Sequence, residues 1–81
     1  MSTLYVKVSI ARRPVSNKPR AVRLVAGYDE RLTMRNAVCY AELGFGQLSA
    51  DSIREVVARF RNETRSHQVQ LNIAGEVSQR I

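Results

Sequence analysis

Ser49-Ala50-Asp51-Ser52-Ile53-Arg54-Glu55-Val56-Val57-Ala58-Arg59-Phe60-Arg61-Asn62-Glu63 is the stretch that decides the fold class. Ile53, Val56, Val57 and Phe60 fall at i, i+3, i+4 and i+7, the apolar stripe of an α-helix over about 50–63. Ser49 is a good N-cap, and Asp51 lies in the first turn, where the helix dipole favours a carboxylate. Leu48, just before the cap, is placed to staple onto Ile53. A single stripe of this kind must be covered by another apolar layer, and the flanking segments offer one with a period of two.

Upstream, Thr3 to Ala11 reads T-L-Y-V-K-V-S-I-A, with Leu4, Val6, Val8 and Ile10 on one face and Tyr5, Lys7 and Ser9 on the other. That alternation predicts a half-buried strand. Arg20 to Tyr28 repeats it more weakly, with Val22, Leu24, Ala26 and Tyr28 opposite Arg23, Val25 and Gly27. Downstream, Ser66-His67 turns the chain and Val69, Leu71 and Ile73 point inward, with Gln68, Gln70 and Asn72 outward. Gly75 ends that strand, leaving a short tail open to an edge strand, a helical turn or an interface segment. The pattern predicts an α+β fold, a small antiparallel sheet of three to four strands packed on the 50–63 helix.

Residues 30–43 read two ways. As a helix, Asp29 or Thr33 caps it, Met34, Ala37, Val38 and Ala41 form its stripe, and Gly44 stops it. As a strand, Ala37, Cys39, Ala41 and Leu43 share a face after an irregularity near Asn36. The Ala, Glu and Leu of its second half favour the helix slightly. Gly44-Phe45-Gly46 then marks a loop.

Charge divides the chain. Lys7, Arg12, Arg13, Lys18, Arg20 and Arg23 all precede the first acidic residue, Asp29, so the first 28 residues hold the whole net charge of +6. Between the first two strands, R-R-P-V-S-N-K-P-R contains two prolines and Ser16-Asn17, which break a ladder and form a flexible basic loop at 12–20. Such asymmetry favours a polyanionic or acidic partner. A second basic stripe, Arg54, Arg61 and Arg65, runs beside the buried face of the helix with no acidic residue on it.

Eighty-one residues predict one compact domain, 1–81, near the lower size limit for a core that folds alone. Cys39 is the only cysteine, so the sequence supports neither an internal disulfide nor a cysteine-based metal cluster, and a reducing, cytoplasmic location is expected. Apolar runs are too short for a membrane span, and no membrane partner is expected. His67, the only histidine, sits at a turn, and Cys39 has apolar neighbours, so neither is expected to act as a catalytic group. Asp29-Glu30 makes a poor metal site, and Gly44-Phe45-Gly46 lacks a third glycine and a Walker lysine. No cofactor, metal site or enzymatic activity is expected.

A non-catalytic binding protein is the remaining expectation. In its first form, Lys7, Arg12, Arg13, Lys18, Arg20 and Arg23 contact nucleic acid, DNA or RNA, through the N-terminal strand-loop-strand, as a β-ribbon entering a groove or with Pro14 as a wedge. The alternative is a phage- or plasmid-type inhibitor or adaptor, for example an anti-CRISPR or transcription-machinery inhibitor, binding an acidic protein surface. A third form is a homodimer or larger oligomer built by edge pairing of the first or last strand.

Overall fold

The computed structural model describes residues 3–81; Met1 and Ser2 of the expected 1–81 unit lie outside the described residues. Its elements are β1 (Thr3–Arg12), β2 (Pro19–Gly27), β3 (Ala37–Leu43), a 3-10 turn (Phe45–Gln47), α1 (Ala50–Thr64), β4 (Gln68–Ile73) and a short α2 (Gly75–Ser78). The alternation in β1 becomes a buried row of Leu4, Val6 and Val8, matched across β2 by Val22, Leu24 and Ala26. Ile53, Val56 and Phe60 of α1 close over these rows, with Val77 of α2 alongside. This is the expected α+β arrangement, one sheet layer under one main helix.

The four strands lie in the order β3-β2-β1-β4, and the sheet is mixed rather than antiparallel throughout. β1 pairs antiparallel with β2, and β2 with β3, but β4 runs parallel to β1 with Leu4 opposite Val69 and Val8 opposite Ile73. The cause is α1: a strand reached from β3 through a helix that spans the core face returns in the direction of β3, hence also of β1. β1 is therefore an inner strand, so the edge pairing expected through the first strand is closed off; β4 and β3 hold the two edges.

The preference for helix over 30–43 is overturned. Residues 37–43 form β3, and Ala37 pairs with Gly27 after a register shift, the irregularity that the strand reading placed near Asn36. Tertiary pairing outweighs the modest helix propensity, because β2 would otherwise leave one whole side of its backbone without partners. Cys39, Ala41 and Leu43 extend the core, whereas Met34 of the supposed helical stripe is 56% exposed.

α1 begins where expected. The Ser49 hydroxyl accepts from Ser52 N–H at 3.0 Å, and Ser52 Oγ accepts from Ser49 N–H at 2.9 Å. Its end is at Arg65, in the left-handed region at φ 52°. The tail forms α2, the helical-turn option among those open to it.

Residues 28–36 fold back over the sheet face opposite α1. Asn36 fastens this segment: its Oδ1 accepts from Thr33 N–H at 2.8 Å and its Nδ2 donates to Arg31 C=O at 2.9 Å. Gly27 allows the close approach, since a Cβ there would lie 2.8 Å from Leu32 Cδ1 and 2.9 Å from Asn36 O. Gly27→Ala is expected to displace the segment and cost about 1–3 kcal/mol. A chemical-denaturation midpoint equal to wild type would refute that.

Candidate nucleic-acid interface

The outer face of the sheet follows from strand register. Tyr5, Lys7, Ser9 and Ala11 of β1 alternate with the core row; Ala21, Arg23 and Val25 of β2 lie beside them, Tyr40 and Glu42 of β3 next, and Gln70 and Asn72 of β4 on the other side. Ser9 is opposite Arg23, Tyr5 opposite Gln70, and Lys7 opposite Asn72. Leu32, Thr33 and Met34 of the overlying segment line a hollow of about 120 Å³ with Lys7, Ser9, Arg23 and Val25. Lys7 is exposed and Arg23 half-buried, and Arg23 Nε is buried without a hydrogen-bond partner.

The six N-terminal cations do not act as one patch. Arg12 is bonded to Glu76 of α2 and donates to Asn17 C=O at 3.2 Å. Arg20 is the extra residue of a β-bulge, since Ala11 pairs with Ala21 and Arg12 with Pro19. From there its guanidinium makes a two-pronged contact with Glu42, at 2.9 and 2.6 Å. Lys7, Arg13, Lys18 and Arg23 have no ion-pair partner among the described residues. The 12–20 loop is a hairpin turn with its own backbone bonds, Asn17 N–H to Arg13 C=O at 2.9 Å and Arg13 N–H to Lys18 C=O at 3.0 Å, with Asn17 left-handed at φ 56°.

Glu42 is the group that sequence reasoning passed over. The Arg20 guanidinium, seconded by the Tyr40 hydroxyl that donates to the same carboxylate, lowers its pKa from 4.5 to about 2. The same contact holds Arg20 more firmly protonated. A carboxyl depressed in the folded state contributes stability that is complete above its ordinary pKa and is lost as pH falls through the folded value. Thermal melts from neutral pH down to about 2 are thus expected to fall less steeply in Glu42→Gln than in wild type over the acid limb; parallel curves would refute it.

The helix stripe is also dispersed. Arg54 bonds to Asp51, one turn earlier, so the expected absence of an acidic neighbour is corrected: the i,i+3 spacing brings that carboxylate to it. Arg61 donates to Ser66 C=O and His67 C=O, both at 3.3 Å, holding the α1–β4 turn, and Arg65 is exposed. Arg54 and Arg61 still border a groove of about 520 Å³ whose apolar walls are Val57, Ala58, Val69 and Leu71.

Burial, with the Glu63 carboxylate adding to it, pushes the Cys39 thiol up, away from the reactive thiolate. His67 is exposed at its turn. The double variant Cys39→Ala, His67→Gln is expected to keep wild-type binding, and loss of binding with the fold retained would show that one of them takes part. Among the described residues no cluster of three or more His, Cys, Asp or Glu could hold a metal ion, and no helix is long and apolar enough to cross a membrane. No protein-family model matches this chain, and no curated protein or solved structure matches it either.

Proposed function

We propose that this is a small non-catalytic basic protein that binds nucleic acid through the outer face of its sheet and the adjoining hairpin tip. One observation carries the reading: Lys7 and Arg23 on that face and Arg13 and Lys18 at the tip have no carboxylate within ion-pair range among the described residues. Tyr5, Gln70 and Asn72, which offer a π-face and amide donors and acceptors, surround Lys7 on the same face. Cations that are not neutralised from within attract phosphates, and counterion release then drives association. Glu42, the strand partner of Arg23, is occupied by Arg20 and Tyr40.

The test uses protein freed of nucleic acid by nuclease and high salt, titrated into labelled random-sequence oligonucleotides and followed by anisotropy. Binding at low salt that weakens steeply as salt rises is expected. Absence of binding at low salt overturns the reading.

The second reading, an inhibitor or adaptor on an acidic protein surface, draws on the groove between α1 and β4, where Leu71 is 43% exposed on an edge strand beside Arg54 and Arg61. An edge strand next to an apolar groove suits an added strand from another protein. Under that reading Leu71→Asp abolishes partner capture while the outer-face cations are dispensable.

A further inference from the structure

Two hollows adjoin on the outer face, and they differ in chemistry. The larger, about 360 Å³, is lined by Tyr5, Lys7, Glu30, Arg31, Gln70 and Asn72. The smaller, about 120 Å³, takes its polar lining from Lys7, Ser9, Arg23 and Thr33. Lys7 and Leu32 line both, so a single ligand can occupy the two at once. We propose that together they form a site for one unstacked nucleotide, its base in the larger hollow and its phosphoryl group in the smaller.

The smaller hollow fits a phosphoryl group. It brings two cations and two hydroxyls together with no carboxylate among its lining residues. A buried donor left without an acceptor is costly, and Arg23 Nε is such a donor. Arg23 as a whole is only half-buried and has no ion-pair partner among the described residues, so its guanidinium can offer a phosphoryl oxygen a charge-assisted bond, and Ser9, directly opposite Arg23, supplies a hydroxyl to a second oxygen. Glu42 flanks Arg23 from β3 and feels its charge, but its oxygens are bonded to Arg20 and Tyr40 and make no ion pair with Arg23.

The larger hollow fits a base. Tyr5 offers a ring for stacking, which every base accepts. Its strand partner Gln70, and Asn72 opposite Lys7, each carry a donor and an acceptor for a base edge, with the Glu30 carboxylate as a further acceptor. A base seated there has left any duplex stack, so in a polymer the site selects single strands. That last step rests on the nucleic-acid reading above; the nucleotide site itself does not.

The experiment titrates the intact protein with adenosine and uridine 5′-monophosphate and with inorganic phosphate, following backbone amide shifts. Parallel anisotropy titrations use one oligonucleotide as single strand and as duplex. Monophosphates are expected to saturate with a Kd on the order of 1 mM, shifting Tyr5, Lys7, Ser9, Arg23, Gln70 and Asn72. Arg23→Gln weakens both monophosphate and phosphate by about tenfold. Asn72→Ala, at an exposed strand position, weakens the monophosphates but leaves phosphate unchanged. Absence of saturable shifts at these amides overturns the proposal, as does equal monophosphate affinity in wild type and both variants. Duplex bound as tightly as single strand, with Arg23→Gln harmless to both, overturns the nucleotide site and leaves the nucleic-acid reading standing. Monophosphate binding with no oligonucleotide binding upholds the site and overturns that reading instead.

Discussion

Phe60→Ala is expected to cost the protein about 3–5 kcal/mol of stability, the largest loss of any single substitution considered for this chain. Phe60 is 1% exposed and the largest of the fully buried side chains, held between α1 and the core row of the sheet. Truncating a buried phenylalanine costs about 3–5 kcal/mol, the transfer of the ring plus the cavity it leaves. A chain of 81 residues, at roughly 0.05–0.15 kcal/mol per residue, holds a total of about 4–12 kcal/mol. The loss therefore takes a quarter or more of the whole stability. Circular dichroism against denaturant checks it: a midpoint within error of wild type would mean the α1–sheet interface is not the main core. Arg59→Ala, one position earlier on the exposed face, serves as the control and should move the midpoint little.

What the sequence showed of this core follows from periodicity. Leu4 to Val8, Val22 to Ala26 and Ile53 to Phe60 repeat at two or at 3.6 residues, which made the elements and most of their inward residues legible, whereas Tyr28 and Leu71, expected inward, are 52% and 43% exposed, and Val25 on the opposite face of β2 is buried. The direction of β4 was not. Val69, Leu71 and Ile73 alternate equally well in a parallel or an antiparallel neighbour, and the choice is made by the path of α1 rather than by any residue in the strand. β3 was ambiguous for a related reason. Ala37, Ala41, Glu42 and Leu43 tolerate a helix in isolation, and only the unpaired edge of β2, together with the Asn36 clasp, makes the strand preferable.

The candidate site was legible as a list of cations and illegible as a surface. Charge counting put Arg12 and Arg20 on the same footing as Lys7, Arg13, Lys18 and Arg23, because it cannot see that Glu76 and Glu42, 64 and 22 positions away, return to meet them. The bulge that turns Arg20 toward Glu42 is a single-residue slip in pairing with no mark in local composition. Gln70 and Asn72 were expected on an outward face, yet their place beside Tyr5 and Lys7 depends on the parallel register. Ser9 and Thr33 join the site because the 28–36 segment covers the sheet there, a long-range contact with no local mark in the sequence.

The division of the cations yields the prediction that separates the readings most sharply. In the quadruple variant Lys7→Gln, Arg13→Gln, Lys18→Gln, Arg23→Gln, none of the lost charges has an ion-pair partner among the described residues, so the fold is expected to persist. If each meets a phosphate of a single strand, the slope of log affinity against log salt should become shallower by about 3, at roughly 0.7 per contact. That corresponds to a loss of roughly fiftyfold in salt sensitivity across a fourfold change in salt concentration. Arg12→Gln with Arg20→Gln removes the same kind of charge but breaks the contacts to Glu76 and Glu42, so it should lower the melting temperature at neutral pH, flatten its further fall toward low pH as Glu42→Gln does, and leave the salt slope nearly unchanged. Anisotropy titrations of both variants at several salt concentrations, alongside thermal melts, supply the comparison. Should the double variant flatten the slope while the quadruple one does not, phosphates are met at the base of the hairpin and not on the open sheet face, and the outer-face interface is wrong.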